Sequence, residues 1–473
     1  MRSLRLLCRQ TLAHALLLLL AAACAMPHYA PPSPPTFMEE EITAKARGGL
    51  AQTPSQPVST ATSQPAAAPA RITLAQAITE CFDADPRIRA GAELVVQAKA
   101  DLWTASLLPN PKADGGGTLL PLGGRFTPDR PGGPEQYGAG IAFPVDWLLF
   151  RKRARAIESA RAGVDVSAAD FADLVRQRIA ATVSAFYDVL QAEALLGLAQ
   201  QDLENLRRLE GITSQLVQIG GAGTVELDRV RLVVLDGERE LRNREGDVAS
   251  AKAALQGQIG RESPQEDFDV DGSLDVPNPV PPLPAEQAMT IAEESRPDLV
   301  SAKRQIAKAE ADYRSEQVKA FPEVTPRVGY LRQLQTDLGF PDVNDYEFSV
   351  EVELPLFDRN QGNVQKAKSV LAQANSIYRT ELVELHADIA QATQALKVAY
   401  ASVTADTPAR IAAARSVREK ITAAFQAGGR PLIDVLDAER AYRDTIRLDV
   451  QDRAAYWKSL HALNAVVGKE VLR

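Results

Sequence analysis

Hydrophobic and polar positions along this chain alternate in short runs and then change to a helical period, and the change happens twice. Over residues 345–354, Tyr346, Phe348, Val350, Val352 and Leu354 alternate with Glu347, Ser349, Glu351 and Glu353. A strand there has one apolar side and one side carrying three carboxylates, which suits a wet lumen. The alternation stops at Pro355. After the turn Asp358-Arg359-Asn360-Gln361-Gly362 a helical pattern begins. Tyr137, Ala139, Ile141 and Phe143 alternate in the same way before Pro144.

These two junctions belong to an internal duplication. Pro86 and Pro297, Pro111 and Pro322, and Pro144 and Pro355 are each 211 residues apart (297 − 86 = 211). Further on, Gly220-Gly221 falls on Gly428-Gly429 and Gly260 on Gly468, at 208 (428 − 220 = 208). The three missing residues are expected to be lost within the long helical stretch of the second copy. Each copy reads as a short helix, a helix, two strands and two long helices. Repeat one spans 71–261, with strands at 112–120 and 136–144 and long helices at 148–219 and 224–260. Repeat two spans 285–469, with strands at 323–333 and 346–355 and long helices at 362–427 and 431–467.

The helices are longer than a globular domain requires. No proline separates Pro144 from Pro264, so residues 148–219 can run as one helix of about 100 Å at about 1.5 Å per residue. Leu203, Leu206, Leu209 and Leu216 form a packing stripe among charged neighbours, as in a coiled coil. In the second copy Pro408 is expected to bend or break the matching helix. The segment 262–284 reads most simply as an inter-repeat linker, with packing around the waist of the helices as the alternative.

Glycine turns join the long helices: Gly220 and Gly221 in the first copy, Gly428 and Gly429 followed by Pro431 in the second. Glycine ends a helix in the left-handed region, and proline suits the start of the next. A single glycine would make the turn. Two duplicated pairs, both remote from the strands, point to a surface that another helical hairpin approaches closely.

Strands of about ten residues with alternating polarity are the signature of an outer-membrane barrel. Four strands leave open edges that a bilayer does not tolerate, so several copies must combine. The soluble alternative is a small sheet packed on the helices, and Gly115 to Gly117 lend it some weight.

Aromatic residues are 5% of the chain against 45% hydrophobic, which favours closely packed helices over a large aromatic core. A net charge of −8 without a dense basic run argues against nucleic-acid binding. The N-terminus reads as a secretory signal, residues 1–23, with Arg2, Arg5 and Arg9 before a short apolar run. Small residues directly before Cys24 resemble a bacterial lipoprotein cleavage site, although Ala21 stands where a larger residue is usual; an ordinary signal peptidase site is the alternative. Residues 24–70, rich in Pro, Ala, Ser, Thr and Gln, read as a lipid-anchored flexible tether. Cys81 is expected to be a small buried apolar residue.

No enzyme constellation emerges. His386 and His461 stand singly on helices, and no phosphate loop, nucleophile elbow or Cys-x-x-Cys is present. No cofactor and no dedicated metal ligand set are expected. A wide acidic duct can pass an ion still hydrated.

Two motifs, LPLFDRNQGNVQKA at 354–367 and AGGRPLIDVLDAERAYRD at 427–444, sit within this duplicated layout. Together they resemble the TolC-type outer-membrane efflux proteins, and within them the outer-membrane component of heavy-metal resistance-nodulation-division pumps of the cobalt-zinc-cadmium type. The resemblance covers residues 70–470. It implies a mainly α fold with a small membrane β-barrel portion: a homotrimer with a twelve-stranded barrel in outer-membrane lipid and a twelve-helix periplasmic tunnel. It also implies a periplasmic adaptor at the glycine tips and an inner-membrane pump as partners. Arg430, Asp434 and Asp437 become candidate gate residues, against the plainer reading of Asp434 as a helix N-terminal acid. Glu347, Glu351 and Glu353 are expected to face the pore, and Tyr346 to Leu354 the lipid. The implied activity is passive exit of metal cations or small toxic compounds. A type I protein-secretion duct and a lipid-anchored periplasmic coiled-coil scaffold without a pore are the alternatives.

Overall fold

The computed structural model describes residues 70–472 apart from Pro121, Leu122, Arg125, Pro131, Ala222 and residues 262–267. The signal segment, Cys24 and the tether lie outside the described residues.

The first copy runs β1 (Ala70–Thr73), α1 (Leu74–Ala84), α2 (Pro86–Ser106), β2 (Lys112–Thr118), β3 (Glu135–Ala142), α3 (Asp146–Leu149), α4 (Lys152–Gln218) and α5 (Thr224–Ile259). After β4 (Phe268–Asp271), the second runs α6 (Ala285–Ser295), α7 (Pro297–Val318), β5 (Glu323–Leu334), β6 (Val343–Glu353), α8 (Gln361–Ala401), α9 (Thr407–Gln426) and α10 (Leu432–Val467). Local chemistry sets the short helices. Thr73 and Gln76 close a capping box on α1, Asp85 caps α2 through the Arg87 amide, and Pro86 and Pro297 open α2 and α7.

Several boundaries differ from the sequence expectation, each for a visible reason. Leu119 has φ +57°, which ends β2 at Thr118 instead of carrying it to residue 120. Residues 148–219 are not one helix: Arg151 at φ +58° separates the single turn α3 from the 67-residue α4. Asn360 at φ +60° does the same work before α8. These two left-handed caps are 209 residues apart (360 − 151 = 209), so two of the three missing residues are already gone before the long helix begins. The expectation that the loss lies within the helix is corrected accordingly; the first copy has an extra turn, α3, at the junction. Pro408 does not break its helix either. A π turn at Ser402–Asp406 absorbs the missing amide and the ring, with helical dihedrals at both of its ends.

The segment between the repeats is more than a linker. β4 pairs in parallel with β1 and buries Phe268 and Val270. Farther along, the Val280 amide donates to the Tyr456 hydroxyl at 2.7 Å, Arg453 pairs with Asp275 at 2.5 Å, and the Trp457 indole donates to the Leu274 carbonyl. The strand and the following chain therefore pack on the helices of both copies.

The core is an inter-helix seam. Leu385, Ile389 and Leu396 on α8 meet Tyr456, Leu460 and Leu463 on α10, with Ala288, Ala292 and Leu299 closing from α6 and α7. Three- and four-residue steps bring these positions to one stripe, so each helix contributes a ridge to the same contact. Cys81 is fully buried, and burial raises its thiol above the usual range despite a hydrogen bond with Thr182.

Candidate functional site

The sheet has the order β2-β3-β5-β6, all antiparallel. Its register sorts most side chains by polarity, with Glu135, Arg332 and Asn344 at one end of the otherwise apolar face and Leu331 and Val343 on the polar one. One face carries Tyr137, Ile141, Val324, Val328, Tyr330, Tyr346, Phe348, Val350 and Val352. Tyr346 is 86% exposed and Phe348 73%, so this apolar face is uncovered in a single chain. The opposite face carries Lys112 and Arg327 together with Asp114, Glu323, Asp345, Glu347, Glu351 and Glu353. Thus Glu347, Glu351 and Glu353 share the polar side, away from the apolar residues. Among the described residues the outer strands β2 and β6 have no further strand partner and are open edges.

One row on the polar side runs Asp114–Gly140–Gly329–Glu347 across all four strands. The Arg327 guanidinium lies along this row. It donates to both Asp114 oxygens, at 2.9 and 2.6 Å, and to Glu347 at 2.9 Å. A Cβ on Gly140 would come within 2.5 Å of Arg327 Nη2, and one on Gly329 within 3.0 Å of Nη1. Two glycines therefore clear the path of one arginine. Sequence reading singled out Glu347 but missed Arg327 and Asp114, because their relation depends on register across three strands.

At the strand-to-helix junction both copies latch the long helix to the preceding one. Arg153 donates to the Ser106 carbonyl, while Asn360 donates to the carbonyl and the carboxylate of Glu316, both at 2.8 Å. Phe150 stacks on Phe321 at 5.0 Å between ring centroids, joining the copies.

The far ends of the helices are two matching tips. Gly220 and Gly428 have φ of +76° and +75°. In each, the next glycine amide reaches back into the ending helix, Gly221 to Leu216 and Gly429 to Ala424, both at 2.8 Å. Nothing stands within 4 Å of a Cβ placed on Gly220 or Gly428, so the backbone angle and not crowding selects glycine there. Pro431 immediately precedes α10 as its cap residue.

Of the candidate gate residues, Arg430 and Asp434 pair with each other at 3.1 Å, and Asp434 also lies in the first turn of α10. Asp437 is exposed and has no ion-pair partner among the described residues. Leu432 and Val435 turn inward, and Leu432 joins Leu203, Leu206, Val230 and Val234, so the two hairpins pack on one another just above the tips. A polar cluster that sequence reading missed lies higher on the same seam. Arg443 pairs with Asp202 at 2.9 Å, Arg418 lies 3.9 Å from the centroid of the Tyr442 ring, and burial raises Glu439 above the usual carboxylate range. Among the described residues no group of three or more His, Cys, Asp or Glu is placed to hold a metal ion.

A two-faced sheet with open edges, carried on paired helical hairpins with glycine tips, defines a subunit of an outer-membrane channel. The chain belongs to the outer membrane efflux protein family, which it matches over residues 96–261 and 289–469. It is 24% identical over 369 residues to the cobalt-zinc-cadmium resistance protein CzcC of Cupriavidus metallidurans, covering 78% of this chain and 83% of that one. It is 24% identical to the probable outer membrane lipoprotein SilC of Salmonella typhimurium, covering 77% and 78%. A solved structure of CusC aligns with a TM-score of 0.69 at 19% identity, covering 89% of this chain and 99% of that one. VceC of Vibrio cholerae aligns with a TM-score of 0.69 at 17% identity, covering 84% and 96%. The fold is that of the TolC-type channels, and the protein is the outer-membrane exit component of an efflux system.

Proposed function

We propose that three copies of this chain form the passive exit duct of a tripartite pump that expels metal cations or small toxic compounds. The open-edged sheet carries this reading. Its uncovered apolar face requires lipid, and its two edges require partner strands, which further copies of the same sheet provide. Three copies of four strands make twelve, a number that closes a small barrel. Three copies of the four long helical segments (α4, α5, α8 with α9, and α10) make a twelve-helix tunnel below it. In this arrangement the tips at Gly220-Gly221 and Gly428-Gly429-Pro431 contact a periplasmic adaptor, which links the duct to an inner-membrane resistance-nodulation-division pump. Arg430, Asp434 and Asp437 stand near the mouth as gate residues. Glu347, Glu351 and Glu353 line the barrel, Tyr346 to Leu354 faces lipid, and Cys24 carries the lipid anchor.

A relative named for cobalt, zinc and cadmium resistance supports a metal-cation cargo. The acidic lumen face is compatible with it, since carboxylates favour cations without needing a fixed coordination site. The test has two arms. Native mass spectrometry of the detergent-extracted protein should give a trimer that conducts ions in planar bilayers; a non-conducting monomer would refute the duct. Deleting the gene should sensitise cells to cobalt, zinc or cadmium salts. Unchanged tolerance to metals with lost tolerance to organic toxicants would reassign the cargo.

A further inference from the structure

We infer that Arg327 sets the ion selectivity of the barrel by holding two lumen carboxylates in a neutralising fork; this rests on the reading that the polar sheet face lines a pore. The fork spans the sheet from β2 to β6, since Asp114 and Glu347 end the row and Arg327 reaches both. Glycine at both intervening positions leaves the guanidinium flat against the backbone, where a side chain on Gly140 would collide with it. The placement is thus built by four strands together.

Stability is a poor explanation for such a group. Exposed ion pairs add little to folding, even when the geometry is good, and Asp114 and Glu347 are each about half exposed. The charge itself is what a passing ion meets. The polar face carries two cationic and six anionic side chains, so its formal charge is 2 − 6 = −4 per chain. Arg327 is half of the positive charge. Lys112 lies at the start of β2, one strand position below the Asp114 row on this face. Removing Arg327 leaves −5 and frees two carboxylates at one level of the barrel; removing Asp114 leaves −3. Charges within a Debye length of about 10 Å at 0.1 M salt act directly on the permeating ion.

Reversal potentials of the full-length protein in planar bilayers under a KCl gradient test this. In R327Q the ratio of potassium to chloride permeability should rise about twofold, and in D114N it should fall by a similar factor. The double variant R327Q/D114N has the wild-type formal charge and should return to the wild-type ratio. A merely structural bridge predicts a different pattern: both single variants break the same contact and would shift selectivity in one direction. Shifts of the same sign, or no shift in either, overturn the inference. Should R327Q fail to assemble, R327K keeps the charge without the planar fork: a wild-type ratio in R327K beside a fall in D114N supports the inference, and any other pairing of the two overturns it. Absence of any wild-type conductance overturns the duct reading itself and the inference with it.

Discussion

Asp85 and Arg296 occupy the same place in the two copies, 211 residues apart (296 − 85 = 211), and carry opposite charges. Each stands just before the proline that opens its helix, and each is buried. Asp85 accepts from Arg178 on α4 at 2.6 Å; Arg296 donates to Asp388 on α8 at 3.0 Å. The duplication has kept the ion pair and exchanged its polarity. What the position requires is complementarity with the long helix, not a particular sign. The exchange has a local consequence, because Asp85 also caps its own helix and Arg296 cannot, pairing instead with Asp298 in the first turn.

Removing one member of the first pair leaves an unmatched buried charge. Asp85→Ala or Arg178→Ala should each cost about 3–5 kcal/mol. The exchanged double variant, Asp85→Arg with Arg178→Asp, should recover part of that loss by imitating the second copy. Thermal unfolding of the detergent-solubilised protein measures all three, and a double variant as weak as the sum of the singles would disprove the equivalence.

Val350 and Glu351 are neighbours on β6 that point to opposite faces. Val350→Arg places a cation on the side proposed to face lipid and should cost about 2–4 kcal/mol near the midplane, seen as loss of heat-resistant oligomer in outer-membrane fractions. Glu351→Gln should assemble normally and change conductance alone. Equal behaviour of the two variants would reverse the assigned faces.

At the tips, Gly428→Val forces a β-branched residue to φ +75° and should cost about 1–2 kcal/mol. Gly428→Asn tolerates that angle better and should be milder. If the tip also meets an adaptor, Gly428→Val should weaken cross-linking to it more than its small loss of stability explains. Intact cross-linking in the valine variant would leave the glycine a turn residue only.

His461 packs against both Tyr187 and Trp457, which also stack on each other, and its Nε2 lies 3.2 Å from the Tyr187 hydroxyl. Burial lowers its pKa below the ordinary value, partly offset by Glu470, and burial also pushes Tyr187 up to about 12. As pH falls through about 6.5 the unfolded ring takes up its proton first, so unfolding binds a proton and the native state loses stability. The loss should continue until the folded ring also protonates. Melting temperatures between pH 7.5 and 5.5 should therefore fall less steeply in His461→Gln; parallel slopes would remove His461 as the source.

Local pattern alone makes much of this protein legible. The 211-residue repeat, the alternation around Val350 and the double glycines of the tips each depend on neighbours a few positions apart, where period and backbone preference act directly. Their outcome is a sheet whose two faces are sorted as the alternation requires, and turns whose φ angles require glycine. What the tertiary structure decided are relations across long separations. Arg327 reaches Asp114 over Gly140 only because the register aligns three strands, and no spacing in the chain encodes that row. The inverted pair Asp85–Arg178 and Asp388–Arg296 emerges only when the long helices dock on the short ones. The segment after Phe268 reads by composition as a linker or as a strap around the helices, and the strap prevails because Tyr456, Arg453 and Trp457 present partners to its backbone and to Asp275. The period of a chain sets which faces exist; packing sets what each face meets.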